Sequence, residues 1–446
     1  MKWAFSTLVI FLSLVLNACS DSNSTNFGAD PAEIRFVNLV PNAPTLIFEL
    51  NDTLFAEVSY AQSSSLRSVS ASTFNSAVSY LNADADEAIE VFRNESFGTV
   101  AGREYSVIIS GSLDSPTVTV IDTLSTGEIT SGTTELHFFN GSSLASGVDV
   151  YLSENISEAS INGLSPMALT ANGSTLVQTT DSGKRRLLVT ATGDDTVIYD
   201  GGVIDLISQT RRLYALVDNF NIGSDIRAIQ IGTISASGLV DERLPTRFRV
   251  ANMIADIAAV DINLDGVPIF EDLAFEQISS YLETATAQYE VTTTLVDQPA
   301  MVLHTLNRQF IAGESRTYVV TGSSATGQVQ GRIFLDDRRP VQSGAQVRII
   351  NAAADAASLD VYFLVPEQLV TDAVARIADF TLLTTSMLLL EGSEYDVVFT
   401  GAGEDTILAG PQRISIANGG IYSVIVRDAS GGGTPGGIVI INDVVE

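Results

Sequence analysis

The chain opens four times in the same way. Ile34-Arg35-Phe36-Val37-Asn38 is echoed by Leu136-His137-Phe138-Phe139-Asn140, Phe248-Arg249-Val250-Ala251-Asn252 and Val347-Arg348-Ile349-Ile350-Asn351. Nine residues after each asparagine a second apolar run is under way. At that place three copies carry an aspartate followed by an apolar residue, Asp149-Val150, Asp261-Ile262 and Asp360-Val361, where the first copy has Ile47. Late in each copy a tyrosine stands in a β-rich run: Tyr105, Tyr214, Tyr318 and Tyr422 lie 67, 74, 66 and 71 residues past their opening asparagines. So constant a period rules out one large core and predicts four similar units in tandem.

The texture between these landmarks is β. Tyr289-Glu290-Val291-Thr292-Thr293 and Tyr395-Asp396-Val397-Val398-Phe399 place large or branched residues at every second position, the period that lays one face of a strand on a core. Leu264-Asp265-Gly266 and Thr400-Gly401-Ala402-Gly403 supply hairpin turns. Units of this length with many short strands predict sandwiches of two antiparallel sheets, with the four tyrosines filling the core near a sandwich corner. Only Gln368 to Ala378 has helical periodicity, as a short insertion between strands. The joints Ser125 to Gly132, Ser235 to Pro245 and Asp337 to Gly344 are short and polar and permit a string of beads. The expected units are residues 32–124, 133–234, 245–337 and 345–446.

The single cysteine, Cys19, ends Leu16-Asn17-Ala18-Cys19 after Lys2 and an apolar stretch from Trp3 to Leu16. That layout is a secretory leader with a lipoprotein cleavage site. Residues 1–18 are the expected signal peptide, Cys19 the expected lipidation site, and residues 19–31 a polar tether. Lipid on Cys19 would hold the chain to a membrane, and Ser20 after it suggests forwarding to the outer membrane of a Gram-negative cell. No thiol is then left for a disulfide, so each unit must be held by its own apolar core. No later apolar run approaches the ~20 residues of a membrane helix. With 53 acidic against 23 basic residues the formal charge is −30. Nucleic-acid binding is thereby excluded as an expectation, since it needs a basic surface to displace counterions.

The third copy carries a family resemblance. Phe248-Arg249-Val250-Ala251-Asn252, Val260-Asp261-Ile262-Asn263-Leu264-Asp265-Gly266, Leu273-Ala274-Phe275, Ser280-Tyr281-Leu282 and Tyr289-Glu290-Val291 resemble a bacterial envelope-lipoprotein domain family of unknown function. Its domains open with V-R-V-x-H-A-S-P-D-A-P-x-V-D-V-Y-x-D-G, continue with F-x-x-V-S-x-Y-L and G-x-Y-x-V, and often stand in tandem. The first copy matches early, through Val40-Pro41-Asn42-Ala43-Pro44, and the fourth through Asn351 to Ala356 and Leu359 to Tyr362. The family's histidine is asparagine in all four copies. The resemblance implies all-β, tandem immunoglobulin-like sandwich domains at the cell envelope and supplies no catalytic residues.

Candidate chemistry is sparse. Asp261-x-Asn263-x-Asp265-Gly266 followed by Asp272 approaches a calcium-loop pattern but reads as strand, turn, strand, and a straight row of side chains cannot wrap an ion. Asp84-Ala85-Asp86-Glu87 reads as a solvated loop, and Gly431 to Gly437 as a hairpin loop without the lysine and helix of a phosphate cradle. His137 and His304 are too few and too distant for zinc or for a nucleophile's base, and both read as strand residues. No catalytic residue, metal site or cofactor is expected. The expectation is a non-enzymatic, lipid-anchored spacer or adhesion module with a protein or glycan partner. The alternative is a carbohydrate- or polymer-binding accessory lipoprotein, which requires exposed aromatics; Tyr60, Tyr80, Tyr199 and Tyr281 are the residues that discriminate. An envelope hydrolase would instead need a cleft with close carboxylates.

Overall fold

The computed structural model describes residues 31–82, 88–125, 127–143, 147–169, 173–220, 225–296 and 298–443. The leader, Cys19 with nearly all of its tether, and the Asp84–Glu87 cluster lie outside the described residues.

The described chain is built of strands in eight sheets, which pair into four two-sheet sandwiches. The third is representative. One sheet orders Leu282–Thr284, Thr246–Ile254, Ser315–Ser323 and Gln328–Leu335; the other orders Val267–Ala274, Ala259–Leu264, Gln288–Leu295 and Gln298–Gln309. The Asp265-Gly266 turn has positive φ at both residues, 49° and 78°, which the right-handed twist of a two-residue hairpin demands and glycine supplies without strain. All-β sandwiches are thus what the alternating runs produce, with one refinement. In every unit the opening strand runs parallel to the strand bearing the late tyrosine, as in Arg249↔Thr317 and Asn252↔Val320, while the other ladders are antiparallel. The chain crosses to the second sheet and back between these two strands, so they meet running the same way.

Each sandwich closes on its own apolar core. Ile34, Phe36, Phe48 and Val107 anchor the first, Phe138, Val150, Tyr199 and Tyr214 the second, Phe248, Ile262, Phe310 and Tyr318 the third, and Val347, Val361, Phe399 and Val424 the fourth. In the opening strand these residues alternate with a second set pointing the opposite way. Such an outer face is commonly polar and wet. Here the later half of it is neither: Val37, Leu39 and Ile108 of the first unit pack on Phe139, Ala215, Val217 and Ile229 of the second. Likewise Ala251, Met253 and Val319 of the third pack on Ile350, Ala352 and Ile425 of the fourth. With about 1.5–3 kcal/mol for each fully buried large apolar side chain, these clusters hold the units two by two. The beads-on-a-string arrangement allowed by the joints is therefore replaced by two fused pairs, because a strand buried on one face only would leave Val37 and Leu39 in water.

Contact between the pairs is largely polar. Arg339 donates to the Pro41 and Ala43 carbonyls at 3.1 and 2.7 Å and lies over the Tyr60 ring, and Gln342 N donates to Asn42 O. The helical expectation at Gln368–Ala378 reduces to one 3-10 turn, Val370–Asp372. Val370 is drawn into a patch with Tyr362 and Val398, and Ile377 is claimed by the edge strand Ile377–Phe380, which pairs with Val361.

Candidate functional site

The repeated asparagines and aspartates are fully engaged in holding the sandwiches together. Asn252 is buried; its amide donates to Leu273 O across the sandwich at 2.9 Å and its carbonyl accepts from Ile254 N. Asn38 does the same with Val58 O and Val40 N, and Asn351 with Phe380 O and Ala353 N. Asp261 and Asp360 accept from the backbone N–H of Asp272 and Asp379, two residues held at positive φ where the partner strand bulges. The calcium-like segment is accordingly a hairpin: Asp261 is committed to Asp272 N and Asp265 to Glu290 N. Among the described residues no group of three His, Cys, Asp or Glu could hold a metal ion.

The charged constellation of the molecule lies where paired units meet. Arg249 and Arg348 occupy the same place in the opening strands of units three and four, facing Thr317 and Ser423. Each guanidinium reaches into the neighbouring unit: Arg249 Nη1 lies 2.8 Å from Asp443 Oδ1, and Arg348 Nη1 pairs with Asp336 Oδ1. All four side chains are buried. The arrangement is reciprocal. Arg249 Nε donates to Thr317 Oγ1 and Arg348 Nε to Ser423 Oγ, while Thr317 donates to Asp336 and Ser423 to Asp443. Tyr281 donates to Asp336 Oδ2 at 2.6 Å, and its ring is covered by the guanidinium groups of Arg247 and Arg249, each 4.6 Å from the centroid.

In the first pair the matching positions are filled differently. The ladders align Arg35 and His137 with Arg249 and Arg348, and Ser106 and Leu213 with Thr317 and Ser423. Across the next ladder, two residues past the partners Ile121, Ile231, Phe334 and Ile441, come Thr123, Thr233, Asp336 and Asp443. Both acids have thus become threonines. Arg35 turns to Ser106 Oγ, the Gly232 carbonyl and Glu104 of its own unit, the last at 2.6 Å. Arg211 pairs with Glu135, which also meets His137 Nε2 at 2.7 Å, and reaches the Leu124 carbonyl. Burial holds the Arg35 guanidinium below its ordinary value despite Glu104 and Glu33. At Arg249 burial pulls down too, but Tyr281, Asp443 and Asp336 outweigh it and the net displacement is upward.

The other sequence candidates do not converge. His137 and His304 sit in strands of different units, and His304 Nδ1 meets the Tyr318 hydroxyl at 2.9 Å. The late tyrosines fill the cores, in two registers: Tyr105 and Tyr422 pair with Ile34 and Val347, Tyr214 and Tyr318 with Phe138 and Val250. In the first register the hydroxyl accepts from the backbone five residues upstream, Val100 N and Ala417 N. Of the discriminating aromatics, Tyr60 and Tyr199 are buried and Tyr80 and Tyr281 half-buried; among the described residues no aromatic ring is exposed. Asp256, Asp355 and Asp428 line a hollow of about 370 Å³. Each caps backbone N–H groups of a neighbouring loop, and burial pushes the Asp428 carboxyl up. The sequence signal for this constellation is an arginine or histidine three places before every opening asparagine, Arg35, His137, Arg249 and Arg348, in a chain this acidic.

Comparison with known proteins places the molecule without assigning a role. No curated protein matches the chain. Solved structures align at low similarity. The Bacillus anthracis TIE protein has 11% identity and a TM-score of 0.16 over 89% of this chain and 68% of its own. A family 26 carbohydrate-binding module of Eubacterium rectale, solved with maltoheptaose, has 12% identity and a TM-score of 0.16 over 46% and 97%. A Bacteroides eggerthii protein named for cell adhesion has 9% identity and a TM-score of 0.19 over 47% and 98%. One family profile matches twice, over residues 32–151 and 246–362, each time from the opening strand of one unit into the second strand of the next. The chain belongs to the DUF4397 family, a domain of unknown function.

Proposed function

We propose that the chain is a lipid-anchored, non-enzymatic protein of the cell envelope that serves as a spacer and adhesion module. In this reading residues 1–18 are removed, Cys19 carries lipid, residues 19–31 form a tether, and four domains follow at 32–124, 133–234, 245–337 and 345–446. Units two and four are then diverged copies of the family domain. Ser20 directs the protein to the outer membrane.

The observation that supports this reading is the burial of the opening sheets on both faces, which turns four small sandwiches into two larger bodies. A surface-bound spacer needs that resistance to bending between modules, whereas turnover needs a cleft and a positioned acid, base or nucleophile. The partner is a protein or a glycan; a glycan would have to be gripped by polar loops, because the described surface offers no exposed aromatic ring for sugar stacking.

The test is made in cells that carry the full chain. Cys19→Ala should move the protein from the membrane to the soluble fraction, and attachment to glycan- or protein-coated surfaces should fall with it. Retention of the variant in the membrane removes the anchor from this reading, and attachment that ignores both deletion of the chain and the variant removes the adhesion role.

A further inference from the structure

Both joints point arginines of the paired sheets at a neighbouring unit, but only one meets them with carboxylates of that neighbour. Where Asp336, Asp443 and the Tyr281 ring fill the second joint, a space of only about 10 Å³ is left. The first joint, with Thr123 and Thr233 at the acidic positions, holds an open cavity of about 230 Å³. Arg35, Arg211 and Arg212 line it. Glu104 pairs with Arg35 and Glu135 with Arg211, and among the described residues no carboxylate pairs with Arg212. Arg35 spends its donors on Ser106, Gly232 and Glu104, but the buried Nε of Arg212 has no hydrogen-bond partner. An unpaired buried donor on a cation is costly, and a carboxylate is the group whose geometry matches a guanidinium fork. In a chain of net charge −30, Arg212, which pairs with no described carboxylate, runs against the surrounding field.

We propose that this cavity binds a ligand presenting a carboxylate, which takes the place that the Asp336 and Asp443 side chains take in the other joint. The inference goes beyond the spacer and adhesion reading and stands independently of it. At this volume the occupant is a small organic acid or the C-terminal end of a peptide. The threonine side chains at 123 and 233 are short enough to leave room for it.

Calorimetric titration of the purified protein tests this with four probes: succinate, a short peptide with a free C-terminal carboxylate, its amidated twin, and inorganic phosphate. The expected result is saturable binding of succinate or of the free-acid peptide. Succinate binding identifies a free acid as the source, and binding of the peptide alone identifies a chain terminus. Arg212→Gln should weaken that binding by about tenfold or more. Thr123→Asp/Thr233→Asp, which installs the carboxylates of the other joint, should abolish it while raising the melting midpoint; should that variant fail to fold, Arg212→Gln decides alone. The proposal is overturned by silence of both carboxylate probes, by equal binding of the amidated peptide or of phosphate, or by an affinity that Arg212→Gln leaves unchanged.

Discussion

The joint between units one and two and the joint between units three and four are the same construction finished in two ways. Both press the outer faces of two opening sheets together through Val, Ile, Ala and Leu side chains. In the second joint the charges that this burial traps are cancelled from the partner unit, Arg249 by Asp443 and Arg348 by Asp336. In the first the two acids are threonines, Arg35 finds its carboxylate within its own unit, and a cavity remains. The difference teaches that the apolar contact makes the pair and the charges tune it. A buried ion pair is dispensable for association when its members find other partners, but becomes binding on both sides once each cation depends on the neighbour.

This contrast can be broken at its strong end first. Asp443→Ala strands Arg249 in the second joint, and removal of one member of a buried pair costs about 3–5 kcal/mol. Urea unfolding should resolve the loss, and a change below ~1 kcal/mol would mean that the reciprocal pairs contribute nothing net. Arg35→Met in the first joint should cost less, about 1–3 kcal/mol, because Glu104 keeps partial access to water and only the Ser106 and Gly232 groups lose a buried partner. A larger cost than that of Asp443→Ala would reverse the ranking of the joints. The smallest effect is in acid. Hydrogen bonding from Arg211 holds the Glu135 carboxyl below its ordinary value against the opposing effect of partial burial, so the folded state binds its proton less readily than the unfolded chain does. That contribution is complete above the unfolded value and is lost as pH falls through the depressed folded value. Glu135→Gln should flatten the acid limb of the stability curve in proportion, and an unchanged limb would remove Glu135 from the account of the first joint.

Much of the fold was legible because it rests on period-two patterning. Asn38, Asn140, Asn252 and Asn351 mark the opening strands, Asp261-Ile262 and Asp360-Val361 fall within the second strands, and Asp265-Gly266 makes the turn. The helical reading of Gln368–Ala378 failed because edge-strand pairing of Ile377 and burial of Val370 outweighed a weak local periodicity. The late tyrosines looked equivalent by spacing, yet two stand two residues out of step with the others, since a shift by two keeps the side chain on the same face and leaves no trace in the pattern.

The arginines show where sequence stops. Ile34-Arg35-Phe36 forms a strand with Phe36 inward and Arg35 on the opposite face. What lies outside is decided by which unit docks there, and that choice is made by surfaces distant in the chain: Gly232 lies 197 residues from Arg35. The sequence by itself determined four sandwiches, their strand faces and the acidic surface, because these follow from local alternation and composition. The tertiary structure alone decided that the outer faces are buried in pairs, that one pair neutralises its arginines and that the other leaves a basic cavity, because burial and charge compensation depend on residues brought together only when separate cores meet.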